Sequence, residues 1–248
     1  MNELKNASSY SYSNEFFDAI ESRAVQSARA VDPVLRQYIH FTSVIDFGCG
    51  RGAWLKAFLE QGVSAIEGLD GPYVDQSKLL IPRECFRATD LSGDIVVEKK
   101  RDLAISLEVA EHLPRRAAAK FIHALCNASD WVLFAAAIPG QGGTHHVNEQ
   151  WPEYWKDLFN ENGFSRLDVI RAPLLFDERV APCYKQNMFL FGRRPLDDRM
   201  QRLFELSEKL DIEILMKRRL VSWKSASGVA RELALASARA LKQRLRTR

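Results

Sequence analysis

The chain has 248 residues, of which 46% are hydrophobic and 27% are charged, and its formal net charge is +3. This balance excludes an intrinsically disordered chain and suits one α/β domain of ordinary size with added segments. The sequence lacks an apolar run near the ~20 residues that a membrane-spanning helix needs, and its polar N-terminus lacks the apolar core of a signal peptide. We therefore expect a cytoplasmic protein whose four scattered cysteines are reduced thiols.

The first 41 residues are predicted to be helical. One face of this helix is formed by six apolar residues at helical spacing: Phe16, Phe17, Ile20, Ala24, Ala28 and Val31. Pro33 suits the first turn of a second, short helix, because proline is tolerated where the backbone N–H has no helical partner.

From residue 43 onward the sequence alternates between strand and helix patterns. Seven strands are predicted, at Ser43–Phe47, Ala65–Leu69, Cys85–Ala88, Leu103–Leu107, Trp131–Ile138, Leu167–Arg171 and Asn187–Phe191. Helices are predicted at Gly52–Gln61, Arg115–Ala128 and Pro152–Asn162. This alternation indicates an α/β fold with a doubly wound, mostly parallel, seven-stranded sheet and helices on both faces. The last two strands have no helical pattern between them, which predicts an antiparallel closing hairpin.

The segment from Val44 to Leu55 combines a buried strand, a glycine-rich turn and the start of a helix. Glycines let the backbone pass close to a ligand, and the N–H groups at a helix start face the same space. Three acidic residues accompany the turn in chain order: Asp46, Asp70 and Asp90. This ordered set resembles the class I S-adenosylmethionine-dependent methyltransferases, which have a Rossmann-like fold.

A dinucleotide-binding dehydrogenase is the alternative interpretation of the same turn. However, an acid on the first strand would repel a pyrophosphate, and a closing hairpin is atypical of dehydrogenases. The pattern therefore favours S-adenosylmethionine as the cofactor.

The resemblance implies a role for each residue of this set. In the family, the first-strand acid and the glycine turn hold the methionine part of the cofactor, which here assigns Asp46, Gly48 and Gly50. Asp70 corresponds to the acid that accepts both ribose hydroxyls, and Asp90 corresponds to the acid that binds the adenine amino group. The alternative for both residues is the cap of a helix or turn.

A second cluster of polar residues follows the fourth predicted strand. Glu108, Glu111 and His112 stand at positions i, i+3 and i+4, so one helical turn would place all three on one face. Two more histidines, of which we favour His146, follow the fifth strand. Two carboxylates with two imidazoles can bind a divalent metal such as Mg, Mn, Fe or Zn. Alternatively, His112 or His146 acts as a metal-free general base, or the cluster is structural.

The E-x-x-E-H spacing with a downstream histidine resembles that of the small-RNA 3′-terminal 2′-O-methyltransferases, and a similar E-x-x-E-H occurs in ubiquinone-pathway O-methyltransferases. In the resembled fold this segment faces the transferable methyl group. This implies catalytic roles for Glu111, His112 and His146, and it places Glu108 at the cofactor. The cluster predicts transfer to an oxygen, because a hydroxyl is a poor nucleophile until a metal or a base acts on it.

The segment after the fifth strand indicates which class of molecule accepts the methyl group. It resembles the corresponding passage of methyltransferases found with glycan and natural-product biosynthesis. Four of its residues are predicted to offer hydrogen bonds or a stacking surface to a sugar: Asn148, Glu149, Trp151 and Tyr154. Trp155 is expected to pin the next helix to the sheet. We expect a hydroxyl acceptor on a glycan or small molecule; the alternatives are an RNA 2′-O-methyltransferase and a catalytically idle adaptor.

The C-terminal segment is strongly basic. From Ile214 to Arg248 there are ten Lys and Arg residues against one acid, a net charge of +9, so the rest of the chain carries −6. Helices are predicted at Asp197–Leu220 and Gly228–Arg246. Three partners suit a basic amphipathic helix: an anionic membrane surface, a nucleic acid, and another protein or subunit. Nucleic acid is the least favoured, because the rest of the chain is acidic and no RNA-binding signature interleaves aromatic residues with these charges.

The resemblance also sets the predicted domain organisation. Residues 42–195 form the methyltransferase domain, and residues 1–41 form a helical lid, because the resembled family closes its site from that side. Residues 196–248 form the basic helical extension, which would hold a cytoplasmic enzyme at the membrane surface if lipid is its partner.

Overall fold

The computed structural model describes residues 14–209, with side chains from residue 21 to residue 206. The predicted helix Gly228–Arg246, the basic tail and the start of the predicted lid lie outside the described residues, as do the side chains of Phe16, Phe17 and Ile20. Within the described range, no helix is both long and apolar enough to cross a membrane.

Seven strands form one sheet. They are β1 (Ser43–Phe47), β2 (Ala65–Asp70), β3 (Phe86–Ala88), β4 (Leu103–Leu107), β5 (Trp131–Ala135), β6 (Phe164–Leu167) and β7 (Phe189–Arg193). Their spatial order is β3-β2-β1-β4-β5-β7-β6. Neighbouring strands are parallel, except that β7 runs antiparallel to β5 and to β6. The predicted Rossmann-like sheet with an antiparallel closing pair is therefore confirmed.

Helices cover both faces of this sheet. They are α1 (Asn14–Leu35), α2 (Ala53–Glu60), α3 (Ala118–Ala128), α4 (Pro152–Glu161), α5 (Arg171–Leu174), α6 (Pro182–Asn187) and α7 (Asp198–Lys209). One apolar cluster contains buried residues of α1, α2, α5 and α7, and a second contains those of α3 and α4. The strands contribute to both clusters, because successive side chains of a strand point to opposite faces.

The chain order of the strands reverses beside β1, which lies between β2 and β4. In open α/β sheets, ligands bind at such a point, in the crevice outside the carboxyl ends of the strands. Asp46 of β1 stands opposite Gly68 of β2 and Ile105 of β4, and it is buried among the apolar residues Val44, Ile45 and Phe47 of its strand. The topology therefore predicts a ligand site at the carboxyl ends of β1 and β4.

Pro33 does not begin a second helix, because α1 is continuous and contains Pro33 in its last turn. Proline removes the helical hydrogen bond to the carbonyl four residues earlier, which is that of Arg29. The side-chain amide of Gln61 donates to this carbonyl over 3.3 Å. Ala28 and Leu35 are fully buried where α1 packs on α2. The described part of the predicted lid segment is thus built into the core of the domain.

The closing strand pair is antiparallel, but it is not a tight hairpin, because α5 and α6 lie between its strands. The predicted strand Leu167–Arg171 is wrong. Gly163, in the left-handed region at φ 80°, follows α4 and leads directly into Phe164 at the start of β6. Arg171 instead begins α5, and its Nε donates to Asp168 Oδ1 over 2.8 Å.

Candidate active site

The glycine turn after β1 contacts two other segments, which lie at the carboxyl ends of β2 and β4. Gly48, Gly50 and Gly52 all adopt positive φ angles, of 92°, 55° and 90°. The backbone N–H of Gly48 donates to the Leu69 carbonyl of β2 over 2.7 Å. On its other side, a Cβ added to Gly48 would lie 2.3 Å from Val109 Cγ2. Only glycine fits there, and the turn directly contacts the segment that follows β4.

Asp70, at the end of β2, closes this turn. Its Oδ2 accepts from the Gly50 N–H and its Oδ1 accepts from the Gly71 N–H, each over 2.6 Å. Burial raises the pKa of Asp70, against the opposing hydrogen bonds of Tyr73 and the two glycines. Burial and the nearby charge of Asp70 raise the pKa of Asp46 well above its usual range. The structure thus brings Asp46, Gly50 and Asp70 together.

Tyr73 lies beside Asp70. The Tyr73 hydroxyl donates to Asp70 Oδ1 over 2.5 Å, and its ring stands over Gly71, where an added Cβ would lie 2.1 Å from the ring. The side chain of Tyr73 is still 41% exposed. A carboxylate can accept about four hydrogen bonds, two at each oxygen. Both positions at Oδ1 of Asp70 are already occupied by the donors Tyr73 and Gly71.

Asp90 follows β3 and forms a turn. Its Oδ1 accepts from the backbone N–H of Ser92 over 2.9 Å and from the Ser92 hydroxyl over 2.7 Å. Asp90 is exposed. The preceding residue, Thr89, donates its N–H to the Asp70 carbonyl over 2.7 Å. Asp90 therefore lies, like Asp70, at the carboxyl ends of the strands. Its adenine role remains a prediction.

Glu108 does not share a face with Glu111 and His112, so the expectation of one continuous helical turn is wrong. Glu108 adopts a left-handed φ of 58°, and a 3-10 turn begins only at Ala110. The Glu108 carboxylate accepts from Gln141 Nε2 over 2.8 Å and from Asn187 Nδ2 over 3.2 Å. Burial raises the pKa of Glu108, although these two hydrogen bonds oppose the shift.

Gln141 and Asn187 are functional candidates that the sequence did not indicate. Asn187 ends α6, which is one of the two short helices absent from the predicted elements. Its Nδ2 also donates to Gln141 Oε1 over 2.8 Å, so the buried Asn187 joins the half-buried Gln141 and Glu108 in one network. No local motif marks these residues, because they meet only through the sheet topology.

Glu111 is fully buried, and neither carboxylate oxygen makes a hydrogen bond of normal geometry among the described residues, although the backbone N–H groups of Glu111 and Ala137 lie close enough to lower its pKa. Burial, and then the charge of Glu108, raises the pKa of Glu111 well above its usual range. Its carbonyl accepts from the backbone N–H groups of Val147 and Asn148, each over 2.9 Å. These two bonds tie the histidine-bearing loop after β5 to the 3-10 turn after β4.

The rings of His112 and His146 meet edge to face beside this carboxylate, with centroids 4.9 Å apart. His146 Nε2 lies 4.0 Å from Glu111 Oε1, and one ligand atom from each of Glu111, His112 and His146 falls within 4.8 Å of the others. Burial and His146 lower the pKa of His112 to about 4, so His112 is neutral at pH 7. We call these three residues the Glu111 cluster. Glu108, predicted as a fourth metal ligand, lies outside it.

Most of the residues expected near a sugar make contacts within the protein. Asn148 is buried; its Nδ2 donates to the Ala110 carbonyl and its Oδ1 accepts from Gln150. Glu149 accepts hydrogen bonds from its own loop. Trp155 is buried against Phe134, with ring centroids 5.3 Å apart, and it pins α4 to the sheet as expected. Tyr154 is half-buried, with its ring centroid 5.0 Å from that of Trp155 and 5.3 Å from the Arg115 guanidinium, whereas Trp151 is 45% exposed.

Comparison with known proteins identifies the family to which this fold belongs. A family model described as a methyltransferase domain matches residues 13–172, which is more than half of the chain. No curated protein matches the sequence.

Solved structures of the same fold include three methyltransferases. An O-methyltransferase family protein from Burkholderia thailandensis is 16% identical, with a TM-score of 0.53, over 74% of this chain and 60% of that one. Magnesium protoporphyrin IX methyltransferase (ChlM) from Synechocystis PCC 6803, with bound SAH, is 18% identical, with a TM-score of 0.50, over 74% and 90%. The methyltransferase domain of the bacterial protein CtHen1-C is 19% identical, with a TM-score of 0.50, over 68% and 98%. The chain thus spans about three fifths of the Burkholderia protein, and at these identities the likeness concerns the fold.

Proposed function

The chain belongs to this family of methyltransferase domains, and on that premise we propose that it transfers the methyl group of S-adenosylmethionine to a hydroxyl oxygen. One observation carries the proposal. The buried carboxylate of Glu111 and the half-buried imidazoles of His112 and His146 form an acid–base cluster next to Val109, which contacts the glycine turn at Gly48. A hydroxyl is a weak nucleophile at pH 7, so the transfer needs a base or a cation at the attacking oxygen.

The cofactor is proposed to occupy the crevice at the ends of β1 and β2. At Gly48 and Gly52 the glycine turn packs closely on Val109 and Ile81, and Asp46 and Asp70 lie beside it with their carboxylates buried. For Asp70 to accept both ribose hydroxyls, Tyr73 must release Oδ1, because that oxygen already accepts from Tyr73 and Gly71. Tyr73 is exposed enough to make this movement and then to lie against the bound nucleoside.

The Glu111 cluster fits a divalent cation. A fully buried carboxylate is costly, and the backbone N–H groups of Glu111 and Ala137 only partly oppose the rise in the pKa of Glu111, so a cation or a proton is needed to neutralise it. Glu111, His112 and His146 supply the mixed oxygen and nitrogen donors that several divalent metals accept. When bound, such an ion lowers the pKa of a coordinated oxygen. The residues themselves orient the acceptor, and a neutral imidazole can also take up the hydroxyl proton.

The acceptor is proposed to be a sugar or a related small metabolite with a free hydroxyl. The support lies on the loop that carries His146, where Val147 is 64% exposed and Trp151 is 45% exposed. Such a surface suits the apolar face of a sugar ring. The net charge of −6 on residues 1–213 disfavours a polyanionic RNA acceptor.

The test measures S-adenosylhomocysteine (SAH) formation with a panel of sugar, small-metabolite and RNA hydroxyl acceptors. Each reaction is run in EDTA and with added Mg, Mn or Zn. Turnover on a sugar or metabolite hydroxyl that a divalent ion restores after EDTA supports the proposal in full. Turnover in EDTA would instead assign His112 or His146 as a metal-free base. Turnover on RNA alone would contradict the acceptor class, and a protein that does not bind SAH would contradict the function.

A further inference from the structure

We infer that Glu149 is a positioning residue that holds His146 in one tautomer, with Nδ1 protonated and the Nε2 lone pair free in the Glu111 cluster. The inference rests on the proposed function, because it assigns a partner to one residue of that site. It also replaces the sugar-binding role that the sequence suggested for Glu149.

The hydrogen bonds of Glu149 point inward, to its own loop. Its Oε1 lies 2.8 Å from His146 Nδ1, and the same oxygen accepts from the Gly142 N–H over 3.0 Å. Its Oε2 accepts from the Gly140 N–H over 2.8 Å. One side chain therefore closes the glycine-rich loop after β5 and contacts the imidazole at the same time.

The chemistry of the two groups fixes the tautomer. An ionised carboxylate only accepts hydrogen bonds, so Nδ1 of His146 must carry the proton that is donated to Glu149. In a neutral imidazole the other nitrogen is then an acceptor. That nitrogen, Nε2, is the atom 4.0 Å from Glu111 Oε1. A lone pair at Nε2 is what a general base or a metal ligand needs, and a carboxylate partner on the far nitrogen is the usual means of orienting such a histidine.

Two further contacts hold the ring in this orientation. A Cβ added to Gly143 would lie 2.2 Å from His146 Nε2, so the imidazole packs directly on the glycine backbone. The backbone N–H groups of the next two residues, Val147 and Asn148, donate to the Glu111 carbonyl. His146 is therefore fixed from the ring side by Glu149 and Gly143 and from the backbone side by Glu111.

The experiment records the ¹⁵N and ¹H signals of the histidine rings in the full-length protein, with SAH and EDTA present. A His146→Asn variant identifies the signals of His146. We expect a protonated Nδ1 and an unprotonated Nε2 in the wild-type protein. Glu149→Ala should shift His146 toward the other tautomer and lower turnover about 10- to 100-fold, the usual range for such partners. SAH affinity should not change, because Glu149 does not contact the cofactor residues.

Two other variants sharpen the result. Glu149→Gln retains an oxygen that can accept from Nδ1, so it should keep more of the native tautomer and more turnover than Glu149→Ala. Glu161→Ala removes an exposed glutamate at the far end of α4 and should change neither the tautomer nor turnover.

The inference is overturned if Nε2 of wild-type His146 carries a proton, whether or not Nδ1 also does, and this measurement stands even if Glu149→Ala does not fold. It is also overturned if a folded Glu149→Ala keeps both the native tautomer and full turnover. A wild-type protein with the expected tautomer but without SAH binding would contradict the proposed function and leave the Glu149–His146 pair in place.

Discussion

The two halves of the crevice are built by opposite means. The proposed cofactor half joins the turn after β1 to the end of β2, where Asp70 accepts from Gly50 and Gly71. The proposed acceptor half assembles Glu111, His146 and Asn187 from distant segments, and the oxygens of its fully buried Glu111 carboxylate make no hydrogen bond of normal geometry among the described residues. Both halves bury carboxylates at a cost, but in the first half hydrogen bonds of Asp70 offset part of that cost, whereas in the second the charge of Glu108 adds to it.

Replacing Glu111 should have the largest effect, because it should lower turnover without changing SAH affinity. Glu111→Gln removes the buried charge but keeps the shape of the side chain, so turnover should fall about 10²- to 10⁴-fold. SAH affinity should stay unchanged, and the free energy of unfolding should stay equal or rise, because an amide costs less to bury than a carboxylate. Steady-state kinetics, calorimetric titration and urea unfolding give the three values. Glu161→Gln is the matched control, and full turnover by Glu111→Gln would remove the cluster from the reaction.

Replacing Gly48 tests the contact between the two halves. Gly48→Ala drives a Cβ to 2.3 Å from Val109, so this overpacking should lower the free energy of unfolding by about 1–3 kcal/mol beyond the backbone strain at its φ of 92°, and it should weaken SAH binding. Gly62→Ala is a close control, because Gly62 has the same left-handed φ of 93° but no atom within 4 Å of the added Cβ. That control should lose only the backbone strain of about 1–2 kcal/mol and keep SAH affinity. Equal SAH affinity in both variants would show that Val109 does not connect the halves.

Replacing Tyr73 should give the smallest effect. Tyr73→Phe removes the hydroxyl that occupies Asp70 Oδ1, so a ribose can bind without displacing it. We expect SAH affinity to stay the same or to rise by less than the ~1.5 kcal/mol of a typical hydrogen bond. A marked loss of affinity on calorimetric titration would mean that the hydroxyl itself contacts the cofactor.

The same contrast explains how much the sequence could predict. The mostly parallel direction of the strands followed from their alternation with helices, and the family resemblance grouped Asp46, Gly50 and Asp70, which the structure brings together. The sequence did not predict α5 and α6, because helices of 4 and 6 residues are too short to show a helical periodicity. It also grouped Glu108 with Glu111, because a left-handed backbone at a glutamate has no sequence signal. Gln141, Asn187 and the role of Glu149 depend on contacts that only the folded chain makes.

The most direct measurement is calorimetric titration of SAH into the wild-type protein, Asp70→Asn and Glu111→Gln. We predict that the wild-type protein binds SAH and that Asp70→Asn binds it more weakly by about 1–3 kcal/mol, since a buried acceptor is lost. Glu111→Gln should bind SAH as the wild-type protein does, although it has lost turnover. If the wild-type protein gives no binding heat, the crevice is not a cofactor site. If Glu111→Gln loses affinity as much as Asp70→Asn does, the crevice is not divided into a binding half and a reacting half.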